Sequence, residues 1–552
     1  MESLKRSKTF NGPKGPLVLV IMDGIGIGKY EAGDMVRKAT TPTLDWLSRN
    51  ALFSPLKAHG TYVGLPSDDD MGNSEVGHNA IGCGRVFDQG ASLVNKSIET
   101  GALFKGKVWK ELIGNVIRNS SRLHFMGLLS DGNVHSHIDH IEALLREAKR
   151  EGIKKASVHI LLDGRDVPST SALEYVDRLE TFLVTLRRNS DFDCTIASGG
   201  GRMKITMDRY QANWDMVELG WKTHVRGEGR KFASAREAIE TLRKENPGIL
   251  DQDLPPFVIA RDNGPAGPIQ QHDSVIFFNF RGDRAIEISQ AFENDDFDKF
   301  DRGPKPEIQY AGMMQYDGDA HIPKKFLVNP PGISQTLDEY LVREGVKQFA
   351  ISETQKFGHV TYFFNGNRSG KFDDSMEDYV EIPSDIVPFE ERPWMKAAEI
   401  TDRVIGAIDR NVYRFIRLNF PNGDMVGHTG ILQAVEMAVE TVDLCLGRIL
   451  EAVRKANGIL VASADHGNAD DMYERNSKTG EVVIDPDTGK PKPKTAHSLN
   501  PVPFYLYEPT GAVKIRISDH PNLGISSLAA TCLRLLGFVP PEDYTPSIID
   551  IE

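Results

Sequence analysis

The sequence predicts an α/β protein with two domains, one of which is interrupted by the other. Three observations support this prediction. Short aliphatic runs alternate with stretches of helical periodicity, a pattern typical of parallel sheets covered by helices. The 552 residues exceed what one hydrophobic core usually organises. The residues that follow the first and last runs also differ in chemistry from those that follow the middle runs, which indicates an insertion.

The composition argues against some classes of binding partner. Hydrophobic residues make up 40% and charged residues 26% of the chain, which is typical of a globular protein and not of a disordered or fibrous one. The formal charge of −13 at pH 7 argues against a general binder of nucleic acid or anionic membranes, because both require a cationic face. We therefore expect a small-molecule substrate, no nucleic acid and no membrane.

The cysteines and the N-terminal region indicate a reducing compartment. The four cysteines are far apart and form no Cys-x-x-Cys pair, so neither a disulfide framework nor a thiolate zinc site is expected. The first apolar run, 17–22, is too short for a signal-peptide core or a membrane span. The sequence therefore predicts a cytoplasmic protein.

Eight apolar runs are predicted as strands. In chain order they are 17–22, 123–129, 158–162, 195–197, 275–280, 349–351, 415–420 and 459–462. Open parallel sheets bind ligands beyond the carboxyl ends of their strands. The residues directly after each run are therefore the candidate site residues.

Carboxylates and imidazoles follow the first run and the last two. Asp23 follows 17–22, Asp424 and His428 follow 415–420, and Asp465 and His466 follow 459–462. Such ligands suit Mn²⁺, Co²⁺, Mg²⁺ or Zn²⁺, and the mixed set does not decide among them. An Asp-Gly pair after a strand is often only a turn, so the combination and not any one member predicts a metal site.

Two such ions side by side would favour one kind of chemistry. They clamp the attacking and leaving oxygens of an in-line phosphoryl displacement and lower the pKa of a bound hydroxyl. Ser74 lies in the Gly-rich segment 70–78, which is predicted to enter a helix. A serine there is either a helix N-cap or a phosphorylated nucleophile, and the two roles are compatible because a helix N-terminus favours an anion.

Guanidinium groups follow the middle runs. Their planar forks match carboxylate or phosphate in two-point contacts, although single surface arginines are usually solvated charges. His135 and Asp166 add groups that can hold hydroxyls and move a proton. Lys356, after 349–351, is either a further phosphate-neutralising group or a plain surface lysine. The candidate substrate-binding residues are His135, Arg165, Asp166, Arg202, Arg209, Arg281, Arg284 and Lys356.

The order of these two groups along the chain predicts the domains. Residues 1–88 and 320–552 form a discontinuous metal-binding domain, and residues 89–319 form the inserted substrate domain. The crossings are expected in the Pro/Gly/polar stretches 87–91 and 303–321. Two linkers side by side would make a hinge.

An ordered set of motifs supports a family resemblance. It comprises Asp23-Gly24, Gly-Asn-Ser-Glu-Val-Gly-His at 72–78, Asp-Gly-Arg-Asp-Val at 163–167, Asn-Phe-Arg-Gly-Asp-Arg-Ala at 279–285, Asp-His-Gly-Asn at 465–468 and Ala-His at 496–497. Together they resemble the cofactor-independent phosphoglycerate mutases of the alkaline phosphatase superfamily. The resemblance runs in order over nearly the whole chain, although segment 472–494 is longer and more charged than expected.

This resemblance implies an alkaline-phosphatase-like α/β domain with two divalent ions, and Ser74 as the nucleophile. It implies Mn²⁺, Co²⁺ or Mg²⁺, with Zn²⁺ possible, no 2,3-bisphosphoglycerate, and a monomer. One ion would be held by Asp23, Ser74, Asp465 and His466, and the other by Asp424, His428 and His497.

The implied reaction interconverts 3-phosphoglycerate and 2-phosphoglycerate through a phosphoserine, in glycolysis and gluconeogenesis. Asp166 or His135 would handle the hydroxyl proton, and domain closure would exclude water. The alternatives are a metal-dependent phosphomonoesterase, another sugar-phosphate mutase of the superfamily, or a non-catalytic phosphate- or metal-binding protein.

Overall fold

The structure is a computed structural model that describes residues 3–209, 213–261, 264–317, 321–329, 332–476, 479–486, 488–521 and 523–552. The chain divides into two compact units. Unit 1 comprises Met1–Gln89 and Gly332–Glu552, and unit 2 comprises Gly90–Pro331. The predicted boundary at 319 and 320 lies outside the described residues.

Strands occur throughout both units. They are β1 (Leu17–Met22), β2 (Leu52–Leu56), β3 (Leu123–Leu129), β4 (Lys155–Leu162), β5 (Asp193–Gly201), β6 (Arg230–Phe232), β7 (Phe257–Arg261), β8 (Gly264–Pro265), β9 (Ser274–Phe277), β10 (Gln309–Gly312), β11 (Gln348–Glu353), β12 (Glu377–Ile382), β13 (Phe415–Phe420), β14 (Ile459–Ser463), β15 (Val502–Tyr507), β16 (Ile515–Ile517) and β17 (Ile549–Ile551).

The helices alternate with these strands, which confirms the predicted α/β class. They are α1 (Met35–Lys38), α2 (Pro42–Asn50), α3 (Ser74–Cys83), α4 (Gly90–Glu99), α5 (Ala102–Lys105), α6 (Lys107–Asn119), α7 (Ile138–Arg150), α8 (Ala172–Arg187), α9 (Trp214–His224), α10 (Ala235–Glu245), α11 (Ile286–Glu293), α12 (Leu337–Arg343), α13 (Thr354–Gly358), α14 (Ala397–Arg410), α15 (Asn422–Gly427), α16 (Leu432–Lys455) and α17 (Ser527–Leu535). Among the described helices, none has the length and apolar character that crossing a membrane requires.

Unit 1 is built on a seven-stranded sheet in the order β12-β11-β13-β1-β14-β15-β2. The strands from β12 to β14 are parallel, in agreement with the predicted parallel sheet, although no predicted run corresponds to β12. Strands β15 and β2 are antiparallel additions. The sequence did not reveal these two strands because each contains a proline. Phe504 of β15 lies opposite the last residue of β14, and Pro503 lies beyond this point, where it pairs with Pro55 of β2. Neither proline therefore interrupts the pairing of β14.

The apolar character of β1 follows from its central position. All six residues are buried, and alternate side chains enter different cores. Val18, Val20 and Met22 pack in one core, and their neighbours Leu17, Leu19 and Ile21 pack in the other. A strand buried on both faces reads as a continuous apolar run, which is why its boundaries were predictable.

Unit 2 is built on a second sheet in the order β10-β9-β3-β4-β5-β7-β6, with β8 beside β7. The neighbours from β10 to β5 are parallel, whereas β7 is antiparallel to β5. The predicted strand 275–280 was too long, because β9 ends at Phe277. After that point Asn279 Oδ1 accepts a hydrogen bond from Leu128 N at 2.9 Å, so a side chain replaces the backbone pairing.

Candidate active site

The metal-type residues of unit 1 meet at the carboxyl ends of three adjacent parallel strands. Asp23 follows β1, Asp424 lies in α15 directly after β13, and Asp465 and His466 follow β14. Parallel pairing aligns these strand ends, and all four side chains are buried. Two groups of residues could each hold an ion, because the ligand atoms within each group lie within 4.8 Å of one another. One group is Asp23, Asp465 and His466. The other is Asp424, His466 and His497.

The two predicted ligand sets are contiguous, with His466 at their junction. Its Nε2 lies 3.4 Å from Asp23 Oδ1 and 3.9 Å from Asp424 Oδ1. Its ring stacks on that of His497 with centroids 3.9 Å apart. His428 Nε2 lies 3.1 Å from Asp424 Oδ1 and 3.2 Å from His497 Nε2. All the predicted metal ligands are therefore gathered in one place.

Ser74 is the first residue of α3, at the centre of this cluster. Asn73 caps the helix, because its Oδ1 accepts from the backbone N of Glu75 at 3.1 Å and of Val76 at 3.2 Å. The alternative that Ser74 is the N-cap is therefore wrong. Its hydroxyl instead donates to Asp23 Oδ1 at 3.2 Å and lies 2.9 Å from His466 Nε2.

Lys356 is buried, so the alternative of a plain surface lysine is wrong. Its Nζ lies 3.0 Å from Asp23 Oδ2 and 2.8 Å from Asp424 Oδ2, and it contacts Ser74 Oγ. Burial opposes its charge, but the carboxylates outweigh burial and raise the pKa of Lys356 above its usual value. A lysine with neighbours of this kind stays a cation and favours negative charge on the Ser74 oxygen.

The donor set fits divalent cations. Burial and repulsion from Asp465 raise the pKa of Asp23 to about 7, so a cation bound beside Asp23 would favour its charged form. Asp465 Oδ2 is also buried, and His78 Nδ1, which lies 3.3 Å from it, makes its shorter contact of 2.8 Å with Ser74 O. Carboxylate oxygens, imidazole nitrogens and a hydroxyl are ligands that Mn²⁺, Co²⁺, Mg²⁺ and Zn²⁺ accept.

The candidate substrate residues of unit 2 converge in the same way. β9, β3, β4 and β5 are parallel neighbours, so their carboxyl ends share one edge. The residues after these ends are His135, Arg165, Asp166, Arg202, Arg209, Arg281 and Arg284. Arg284 Nη1 donates to Met207 O at 2.9 Å, in the segment that leads to Arg209.

Asp163 organises one side of this arginine cluster. Its Oδ1 accepts from Arg202 Nη1 at 2.9 Å and from the backbone N of Arg165 at 3.1 Å and of Asp166 at 3.0 Å. Arg202, which is 1% exposed, also contacts the Asp166 carboxylate. The guanidinium is therefore fixed between the buried carboxylate of Asp163 and the partly buried carboxylate of Asp166.

Sequence reasoning missed Asp283. Its Oδ1 lies 3.2 Å from Arg281 Nε and 3.6 Å from His135 Nδ1, and its Oδ2 lies 3.4 Å from Arg209 Nε. Burial raises the pKa of Asp283, but the guanidinium charges of Arg281 and Arg209 outweigh burial and hold it below the usual range. The sequence did offer a signal, because Asp283 lies between two arginines in Arg-Gly-Asp-Arg. Only the arginines of this motif were predicted as site residues.

His135 lies between two carboxylates. Asp283 faces its Nδ1, and Asp166 Oδ2 lies 4.0 Å from its Nε2. Burial and the nearby Arg202 lower the pKa of His135 well below its usual value. The imidazole is therefore neutral near pH 7 and has carboxylates on both sides that would stabilise a transient positive charge.

Comparisons with known proteins give similarity over the whole chain. Residues 94–318 match the family model described as BPG-independent PGAM N-terminus. A probable 2,3-bisphosphoglycerate-independent phosphoglycerate mutase of Leptospira interrogans is 53% identical over 551 residues and 100% of both chains. The 2,3-bisphosphoglycerate-independent phosphoglycerate mutase of Trypanosoma brucei brucei is 50% identical over 98% of both. A Leishmania mexicana phosphoglycerate mutase crystallised at low cobalt concentration has a TM-score of 0.94 and 48% identity over 100% of both chains.

Proposed function

The chain belongs to the 2,3-bisphosphoglycerate-independent phosphoglycerate mutases, and from this membership we propose how its residues divide the reaction. The enzyme is an isomerase that interconverts 3-phosphoglycerate and 2-phosphoglycerate, a step of glycolysis. One observation carries the assignment of the nucleophile. The Ser74 hydroxyl, at the start of a helix, is in contact with a carboxylate, an imidazole and a buried ammonium group.

Ser74 accepts the phosphoryl group in this proposal. The bond from phosphorus to O3 of 3-phosphoglycerate breaks as the bond to Ser74 Oγ forms. The serine hydroxyl gives up its proton and the departing O3 takes one up, which leaves glycerate. The Lys356 ammonium and the N-terminus of α3 both favour the negative charge that the serine and then the phosphoserine carry. Transfer from Ser74 to O2 of the same glycerate gives 2-phosphoglycerate.

Unit 1 would hold two divalent ions. Asp23, Ser74, Asp465 and His466 would bind one, and Asp424, His428 and His497 would bind the other. Bound there, the ions would lower the pKa of the serine hydroxyl and neutralise phosphoryl charge. We propose Mn²⁺, Co²⁺ or Mg²⁺, with Zn²⁺ as a further candidate, because the ligand set does not select one.

Unit 2 would retain and orient the glycerate. Its arginine forks match the carboxylate and phosphate of the substrate, and fixed geometry supplies most of the catalysis in phosphoryl transfer. The neutral His135 would take the proton of the glycerate hydroxyl that accepts the phosphoryl group. Asp166 and Asp283 would stabilise the resulting imidazolium.

The finer assignments follow from the same premise. We propose unit 1 as the metal-binding, phosphatase-like domain and unit 2 as the substrate domain. A hinge, a cytoplasmic location and a monomeric state stay predictions. Phosphomonoesterase activity remains the second candidate, because the same nucleophile releases phosphate whenever water replaces glycerate as the acceptor.

A metal add-back assay tests this function. Chelator-stripped protein is expected to be inactive, and Mn²⁺, Co²⁺, Mg²⁺ or Zn²⁺ is expected to restore formation of 2-phosphoglycerate without added 2,3-bisphosphoglycerate. A coupled assay measures that product, and a phosphate assay runs in parallel. Release of inorganic phosphate alone would identify a phosphatase, and inactivity with every ion would refute catalysis.

Asp283→Asn tests the arrangement around His135. Removing one negative charge among the arginines should leave KM for 3-phosphoglycerate unchanged or lower, because the anion meets more positive charge. We expect kcat to fall about tenfold, a difference of ~1.4 kcal/mol, because imidazolium loses one stabilising carboxylate. Steady-state kinetics measure the two constants separately.

Asp193→Asn is the matched control. Asp193 also lies between two arginines, 3.3 Å from Arg122 Nη2 and 3.0 Å from Arg261 Nη1, but at the amino end of β5, opposite the Arg202 end. Both kinetic constants should match those of the wild type. A rise in KM with unchanged kcat for Asp283→Asn would contradict the assigned role.

A further inference from the structure

Three ligand-bearing segments of unit 1 continue the sheet beyond its strands. Gly24, which follows Asp23, forms a parallel bridge with Gly467, which follows His466. Gly467 also forms an antiparallel bridge with Ser498, which follows His497. Asp23, His466 and His497 are therefore each followed directly by a residue whose backbone pairs with a neighbouring segment. The three segments together carry ligands of both predicted ions.

One buried carboxylate joins all three segments. Asp470 Oδ1 accepts from the backbone N of Gly26 at 3.1 Å, and its Oδ2 accepts from Ser498 Oγ and Asn500 Nδ2, each at 2.7 Å. Asp470 itself lies four residues after His466 and is 1% exposed. It thus links the segments after Asp23, His466 and His497.

Two glycines lie directly against this carboxylate. A Cβ built on Gly26 or on Gly467 would fall within 3.0 Å of its oxygens, closer than real Cβ contacts. Two glycines therefore permit the approach. Asp470 belongs to neither of the two groups of described residues that could hold an ion.

We propose that Asp470 is a positioning residue that couples the two ion sites by fixing the segments of Asp23 and His497 against that of His466. This inference rests on the proposed two-ion site. A residue outside both ligand sets then controls the affinity of both ions, because it holds ligands of each in place. Replacing a residue that orients metal ligands without binding the metal typically weakens metal affinity about ten- to a hundredfold. We expect a loss of about this size at both ion sites.

Asp470→Asn is the direct test, because the amide keeps the shape of the carboxylate. It offers one acceptor oxygen in place of two, so either the bond from Gly26 N or the bonds from Ser498 Oγ and Asn500 Nδ2 cannot persist in their present direction. Calorimetric titration of chelator-stripped protein with Mn²⁺ should show both affinities weakened about 10- to 100-fold. Circular dichroism should show a folded chain.

Asp443→Asn is the matched control for stability. Asp443 is also 1% exposed and accepts two backbone N–H groups, from Thr43 at 3.0 Å and Leu44 at 2.8 Å, but it joins α16 to α2. Its variant should lose stability and keep wild-type Mn²⁺ affinities. Equal weakening in both variants would overturn the proposal, because general destabilisation would explain it.

Ser498→Ala serves if Asp470→Asn does not fold. It removes one donor to Asp470, so only the affinity on the His497 side should fall. Wild-type titrations for either folded variant, or loss at a single site in Asp470→Asn, would overturn the coupling. The readout is ion binding, so a wild-type protein that binds two ions without mutase turnover would refute the proposed function and leave this inference standing.

Discussion

Ser74→Ala is expected to reduce mutase turnover by roughly 10⁴-fold or more, because removal of a nucleophile abolishes the covalent route. The fold should persist, since the methyl group fits the space and Asn73 still caps α3. Mn²⁺ binding should persist at the Asp424, His428 and His497 site, which does not include Ser74. Turnover measured with the coupled assay and Mn²⁺ titration of the same sample separate these effects.

Ser547→Ala is the control for loss of a buried hydroxyl. Ser547 lies in unit 1, and its hydroxyl donates to Ile549 O at 3.0 Å, outside the ligand cluster. The variant should lose about 1 kcal/mol of unfolding free energy and keep wild-type turnover. If Ser74→Ala retained more than about one per cent of wild-type turnover, the nucleophile assignment would be wrong.

Arg202→Met should damage both activity and stability. The side chain is held by Asp163 and Asp166, so its removal leaves a buried and a partly buried carboxylate without their guanidinium partner. Breaking such a pair costs roughly 3–5 kcal/mol of unfolding free energy. We also expect kcat/KM for 3-phosphoglycerate to fall roughly 10²- to 10³-fold, as when a fixed charge-stabilising group is removed. Denaturant unfolding and steady-state kinetics measure the two effects.

Arg243→Met provides the comparison within unit 2. Arg243 pairs with Asp251 at 2.6 Å but is partly exposed, at 23% of its side chain, so water can replace part of the interaction. Its loss should destabilise the protein less and leave kcat/KM at the wild-type value. Full activity in Arg202→Met, despite lowered stability, would remove Arg202 from the substrate site.

Local sequence predicted the features that depend on a residue's own position along a strand. The predicted runs 17–22, 123–129 and 415–420 coincide with β1, β3 and β13. Strands buried on both faces are continuously apolar, so their ends are visible in the sequence. The residues after these ends supplied the ligand and arginine candidates and the family resemblance that full-length relatives confirm.

Local sequence was insufficient where a feature depends on another segment. The antiparallel strands β2 and β15 were missed because each contains a proline, which lowers strand propensity. Proline is tolerated where the sheet requires no N–H at its position, and only the strand pairing reveals such positions. Strand β9 was overestimated because the contact of Asn279 with Leu128 ends it.

The site shows the same division. The sequence by itself determined which residue types lie at the strand ends, and hence the metal-ligand and arginine chemistry. Tertiary structure alone decided that Lys356 is buried beside Ser74, that Asp283 is enclosed by arginines, and that Asp470 joins three distant segments. The physical reason is that charge, burial and hydrogen bonding at these positions arise from side chains far apart in sequence. These side chains become neighbours only when parallel pairing within a sheet aligns the carboxyl ends of its strands.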